Sequence, residues 1–189
     1  GTVGVRVSVD GAARLLERLG RDELDIVLAP GPRHFAADDL IHDVMFEDHI
    51  GLFASESHPL ARRREVTAAD LAAATWTTVG VLSGARDTTR DILARIGVDG
   101  ARTVIEFSGD ISIALNLVSG GHYLMAAPSF LMHHLDDPRR FVELPFKAEM
   151  PRRDVAMWRR QDMKDHPLID EFKGRFEAYV SHLADAKSV

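Results

Sequence analysis

The chain contains no cysteine. That excludes a disulfide framework, thiol catalysis, a cysteine redox switch and a Cys-ligated zinc site within these residues. It fits a reducing compartment, and a cytoplasmic location is the expectation. Long apolar runs are missing as well. None approaches the roughly 20 residues a spanning helix needs, so no contact with a membrane is expected. Gly1-Thr2-Val3-Gly4 shows no basic region leading into an apolar run, so no signal peptide is expected.

Positive charge is in short supply. Lys and Arg number 23 against 29 Asp and Glu, a net charge of −6. Duplex binding draws much of its affinity from cations that neutralise phosphates. These residues alone are therefore expected not to bind duplex DNA specifically, and DNA contact is expected only through an N-terminal domain outside them. The motifs of common enzyme sites are also absent. There is no Gly-x-Ser-x-Gly elbow, no phosphate loop and no His-Glu-x-x-His pair. Ser119-Gly120-Gly121-His122 brings a Ser and a His close in sequence without a third partner. A non-enzymatic protein with no cofactor and no bound metal is expected.

What is present is an alternation of strands and helices. Val3, Val5, Val7 and Val9 alternate with Gly4, Arg6 and Ser8, a period of two that predicts a half-buried strand. Leu15, Leu16 and Leu19 then fall at helical spacing. The apolar run from Leu24 to Ala29 predicts a strand buried on both faces, completing a compact βαβ unit. Further strands are predicted at Ile50–Ala54, Trp76–Leu82, Thr103–Phe107, Tyr123–Ala127, Phe141–Leu144 and Asp154–Arg159. Between them lie helices at Thr67–Ala74, with Asp70 positioned to close a capping box, at 86–96 and through Ser119. Asp165-His166-Pro167 opens a last amphipathic helix with Leu168, Ile169, Phe172, Phe176 and Val180 on one face. Such alternation predicts an α/β protein with a mostly parallel sheet.

An ordered set of short motifs now resembles the effector-binding domain of LysR-type transcriptional regulators. Asp10-Gly11 through Leu15-Leu16-Glu17-Arg18-Leu19, then Glu23-Leu24-Asp25-Ile26-Val27-Leu28, is similar to the family's early helix and strand. His58-Pro59-Leu60-Ala61, the spacing of Val66, Asp70-Leu71 and Trp76, and the series Glu106, Leu115, Leu117-Val118, Gly120 and Pro128 follow in the family's order. Trp158 with His166-Pro167-Leu168 resembles its return strand and closing helix. The resemblance implies a type-2 periplasmic-binding-protein-like α/β fold: two Rossmann-like lobes joined by two crossover strands. Lobe I would comprise residues 1–54 and 159–189, lobe II 60–154, and the hinge 55–59 and 155–158. It also implies a small-molecule effector in the interlobe cleft and a homodimer or homotetramer whose geometry on DNA the effector controls. A solute-binding protein of the same fold serving transport is the alternative.

The chain departs from the family pattern in places. Gly121-His122-Tyr123-Leu124 replaces the usual Gly-x-Gly-Ile, and Ala13 offers no hydroxyl where the family often has one. The match also begins at the family's second strand. Val3–Val9 and Leu24–Ala29 are therefore expected to lack the strand that would lie between them, and the natural protein is expected to continue upstream with a strand and a helix.

A cleft binder needs donors and acceptors at loop tips beyond the carboxyl ends of its strands. Three tips qualify: Asp10-Gly11, Ser83-Gly84-Ala85-Arg86 and Ser108-Gly109-Asp110. The middle tip pairs an uncharged Ser83 with Gly84, which permits close approach, and with Arg86. Its chemistry suits a carboxylate or aromatic effector. At each tip, turn and helix-cap duty is the competing explanation. Effector contacts are accordingly expected from Asp10, Gly11, Ser83, Gly84, Arg86, Ser108 and Gly109. His133-His134 reads as a solvated helix end, His122 as structural, and Arg62-Arg63-Arg64 and Pro151-Arg152-Arg153 as solvated basic runs.

Overall fold

A computed structural model describes residues 3–30, 39–79, 88–107, 111–134 and 141–185. The strands separate into two sheets. In the first, β1 (Val27–Pro30) and β2 (Leu40–Phe46) flank β8 (Val155–Arg160), both antiparallel to it. In the second, β5 (Arg102–Phe107), β4 (Thr75–Val79), β6 (Leu124–Pro128), β3 (Ile50–Ser55) and β7 (Phe141–Glu143) lie side by side in that order. The β4–β5 and β4–β6 pairings are parallel, whereas β3 is antiparallel to both β6 and β7. The expected mostly parallel sheet is thus confined to the β5-β4-β6 stretch, where helices make the crossovers.

Each sheet owes its place to apolar faces that must be covered. In the first lobe, α1 (Ala12–Gly20) lays Leu16 and Leu19 on Val27, Ala29, Ala156 and Trp158. On the other face, Lys173 of α6 (Pro167–Asp185) reaches Asp43 on β2 at 3.3 Å. Asp43 in turn accepts from Arg159 at 2.7 Å. Leu168, expected on the buried stripe of α6, remains half exposed, while Ile169 and Val180 are buried. In the second lobe, one face carries Ile50, Leu52, Trp76 and Leu124 against α2 (Ala68–Ala73) and α3 (Thr89–Arg95). The other carries Phe53, Met125 and Ala127 against α4 (Ile111–Ser119) and α5 (Ser129–His133). Local signals set several helix starts. The Thr67–Asp70 capping box forms as expected, and a second forms between Thr88 and Asp91 at the head of α3.

Three expectations are corrected. Val3–Val9 joins no sheet: its valines are 59%, 73%, 80% and 94% exposed. A period of two supplies the side-chain pattern of a strand but no partner backbone, and β1 has only β8 beside it among the described residues. The expected strand at Leu24–Ala29 begins later, at Val27. The lobe boundary also moves. Residues 50–54 were expected in lobe I, yet β3 pairs within the second sheet. The chain therefore changes sheets at residues 47–49 and 151–154, upstream of the expected crossings at 55–59 and 155–158.

His58, expected at the hinge, instead caps a single 3-10 turn inside the second lobe. Its Nδ1 accepts from the Leu60 N–H at 3.1 Å, and the residue is 8% exposed. Burial, with a smaller push from His122, lowers its pKa below the ordinary 6.5. The unfolded chain therefore takes up this proton at a higher pH than the folded one. Stability conferred by neutral His58 is complete above about pH 6.5 and is lost as the pH falls toward the lowered folded value. Urea melts between about pH 5 and 8 are expected to show this decline, and it should be shallower in His58→Asn. Parallel curves for parent and variant would remove His58 as its source.

Candidate functional site at the crossing between lobes

Two short antiparallel segments carry the chain from one sheet to the other. The Ile50 N–H donates to Pro151 O at 2.9 Å, the Arg153 N–H to Asp48 O at 2.6 Å, and His49 bridges Arg152. The crossing meets the carboxyl end of β6, because Ile50 is opposite Pro128. β4 and β5 run parallel to β6 and so end on the same edge, at Val79 and Phe107. In the first lobe, Arg160 at the far end of β8 donates to Leu19 O at the end of α1. That leaves the start of α1, at Gly11 and Ala12, toward the crossing. The fold thus brings the carboxyl edges of parallel strands and one helix start to the junction of the lobes, the place where open α/β folds hold ligands.

Asp48 organises this junction. It is 7% exposed, and its Oδ1 accepts from the backbone N–H of His49 at 2.8 Å and of Phe130 at 2.9 Å. The carboxylate therefore ties the first crossing to the segment that follows β6. Phe130 stacks between Phe46 and His134, at centroid distances of 4.3 and 4.2 Å, joining the end of β2 to α5. On the second crossing, Arg152 faces outward and pairs with Glu47. Arg153 is half-buried, and its Nε is fully covered with no hydrogen-bond partner. Burial pulls its pKa down, opposed by the negative charge of Asp48. The buried Asp154 Oδ1 beside it is also without a partner.

A second polar group lies on the second-lobe side. Glu143 on β7 receives His49 Nε2 at 3.2 Å, the Ser129 hydroxyl at 3.2 Å and His133 Nε2 at 3.5 Å. Ser129 Oγ also lies 3.0 Å from His133 Nδ1. His133, expected as a solvated helix end, is drawn into this cluster, and His134 Nδ1 lies 2.7 Å from Phe130 O. Ser129 is buried and already shared between Glu143 and His133. No group of three or more metal-ligating side chains suited to an ion occurs among the described residues.

Of the effector contacts expected from sequence, Asp10 and Gly11 lie at the start of α1. Asp10 Oδ1 accepts from the Gly11 N–H at 2.8 Å and its Oδ2 faces Arg14 at 3.4 Å. The Gly11 hydrogen bond first, then Arg14 and Arg18, hold the Asp10 carboxyl below its usual range. Gly11 is the N-cap residue and receives no side-chain cap, so the helix start retains free N–H groups. Ser83, Gly84, Arg86, Ser108 and Gly109 lie outside the described residues. Asp48 and Arg153 were missed. The basic run Pro151-Arg152-Arg153 is expected from sequence to be solvated, but an extended segment sends successive side chains to opposite sides. That period of two was available in the sequence and separates outward Arg152 from inward Arg153.

Similarity to known proteins agrees with this architecture. The family model described as the LysR substrate binding domain matches residues 2–180. Among solved structures, one from Vibrio parahaemolyticus, described as that of a transcriptional regulator, superposes with a TM-score of 0.71 at 16% identity, covering 93% of this chain and 79% of that one. The reduced regulatory domain of OxyR from Pseudomonas aeruginosa gives 0.68 at 19% identity, covering 89% and 80%. The regulatory domain of MetR, a LysR family regulator from N. meningitidis, gives 0.62 at 16% identity, covering 86% and 73%. No curated relative matches the chain. With an antiparallel sheet and a mixed sheet joined by two crossings in a type-2 periplasmic-binding-protein-like α/β fold, and with a family match that spans nearly its whole length, this chain belongs to the LysR substrate-binding domain family.

Proposed function

We propose that this domain is the ligand-sensing part of a bacterial LysR-type transcriptional regulator, and that its effector binds between the lobes at the crossing. The observation that carries the reading is the double crossing itself. Segments 47–49 and 151–154 are the only covalent links between the sheets among the described residues, so rotation there changes lobe closure without disturbing either core. An effector that touches both lobes favours one closure by its difference in affinity between the two arrangements. Passed to a dimer or tetramer, that difference biases how a separate DNA-binding domain meets its operator. Family membership favours this sensor over the transport alternative. The domain acts without catalysis, in the cytoplasm, and no described helix is long and apolar enough to cross a membrane. Asp10, Gly11, Ser83, Gly84, Arg86, Ser108 and Gly109 remain the proposed effector contacts.

The absence of cysteine makes a direct test clean. Spin labels at Arg14→Cys on α1 and Ala94→Cys on α3, both exposed, report the distance between lobes. A small molecule that raises the melting temperature is expected to shift or narrow that distance distribution. A tightly binding ligand that leaves the distribution unchanged would sink the closure mechanism.

A further inference from the structure

We propose that the effector carries an oxyanion, a carboxylate or an inorganic tetrahedral anion, and that the Arg153 guanidinium on the second crossing receives it. The inference rests on the sensor reading above and adds the class of ligand and the residue that selects it. A half-buried arginine normally has a carboxylate within hydrogen-bond reach, because leaving water is costly for a cation. Arg153 has none. Its Nε is buried without a partner, and among the described residues its guanidinium makes no ion pair.

Asp48 is the nearby negative charge, but its Oδ1 is already engaged by the backbone N–H groups of His49 and Phe130. It balances the guanidinium at a distance without filling its donors. Two further acidic groups near the crossing are committed elsewhere. Glu47 pairs with outward Arg152, and Glu143 is held by His49, Ser129 and His133. The two arginines that end β8 show the contrast. Arg159 reaches Asp43 at 2.7 Å through one terminal nitrogen, although its Nε is buried without a partner, and Arg160 reaches Asp22 at 2.7 Å and two backbone carbonyls. Arg153 alone among these three has no acceptor on any guanidinium nitrogen among the described residues, and it stands where the two lobes join. A planar guanidinium binds carboxylates and tetrahedral oxyanions in two-point fashion, which a lysine does not reproduce.

The test uses the whole chain in calorimetry and thermal melts at constant ionic strength. The probes are sulfate, phosphate, succinate and benzoate, with benzamide as the uncharged counterpart of benzoate. At least one oxyanion is expected to bind saturably and raise the melting temperature, while benzamide does not. Response to the organic carboxylates alone assigns an organic effector, and response to sulfate or phosphate alone assigns an inorganic one. Arg153→Gln is expected to weaken binding by about tenfold or more, the scale of one charged hydrogen bond. Arg153→Lys is expected to fall between. Without ligand, Arg153→Gln is expected to melt about 2–4 °C above the parent, because a half-buried cation with no hydrogen-bonded partner has been removed. A structural arginine predicts the opposite, so a lower melting temperature overturns the proposal. Silence of every oxyanion, or equal binding by parent and Arg153→Gln, overturns it too. Where an uncharged ligand shifts the backbone amides of His49 and Phe130 in nuclear magnetic resonance spectra, the anion class fails and the sensor reading stands. Where no ligand of either kind moves those amides or the interlobe distance, both fail.

Discussion

Trp76→Ala is expected to remove about 3–5 kcal/mol of folding stability. Trp76 is fully buried on β4, between α2 and the strands that carry Ile50, Leu52 and Leu124. Its indole N–H donates to Leu71 O at 2.9 Å, tying α2 to the sheet. Alanine removes the ring, leaves a cavity and breaks that tie. With a typical domain holding only about 5–15 kcal/mol, the loss approaches global unfolding. Trp76→Phe refills most of the volume. It is expected to cost about 1–2 kcal/mol, because Leu71 O still accepts from the Ala74 N–H. Chemical denaturation with an unchanged m-value checks both, and a loss below about 1 kcal/mol for alanine would show that the site is not packed as described.

Asp48→Ala is the second large effect, expected to cost about 2–4 kcal/mol. The substitution leaves the N–H groups of His49 and Phe130 without their acceptor and strips Arg153 of the negative charge that offsets its burial. Asp48→Asn keeps an acceptor oxygen but not the charge, so it isolates the electrostatic part and is expected to cost less. The double variant Asp48→Ala/Arg153→Met is expected to recover part of the loss, because the stranded cation is gone. The coupling energy of this cycle measures the interaction directly. Strict additivity would mean that Asp48 and Arg153 do not sense each other, which would also weaken the account of Arg153 as a cation waiting for a ligand.

Much of the fold was legible because it is written in short range. Thr67 and Asp70 close their capping box within one turn, and helical spacing announces α1 and α6. Apolar runs mark β3, β6 and β8, and the order of small motifs, from His58-Pro59 to Trp158, identified the family. These features depend on neighbours within a few residues, so the sequence by itself determined them.

Tertiary structure decided what depends on partners far along the chain. All six positions of β3 are buried, a pattern equally at home in either sheet, and only its pairing with β6 and β7 assigns it to the second lobe. That assignment moved the crossings. Val3–Val9 has as clear a strand pattern as any segment, yet it forms no ladder, because a ladder requires a second backbone at hydrogen-bonding distance. The candidate site shows the same division. Asp10-Gly11 was readable as a loop tip before a helix. Arg153 was hidden in a basic run because its chemistry comes from burial and from Asp48, which lies more than a hundred residues earlier. Charge type is encoded at a single position, but the solvent and counter-charge that set its behaviour are supplied only when the two crossings come together.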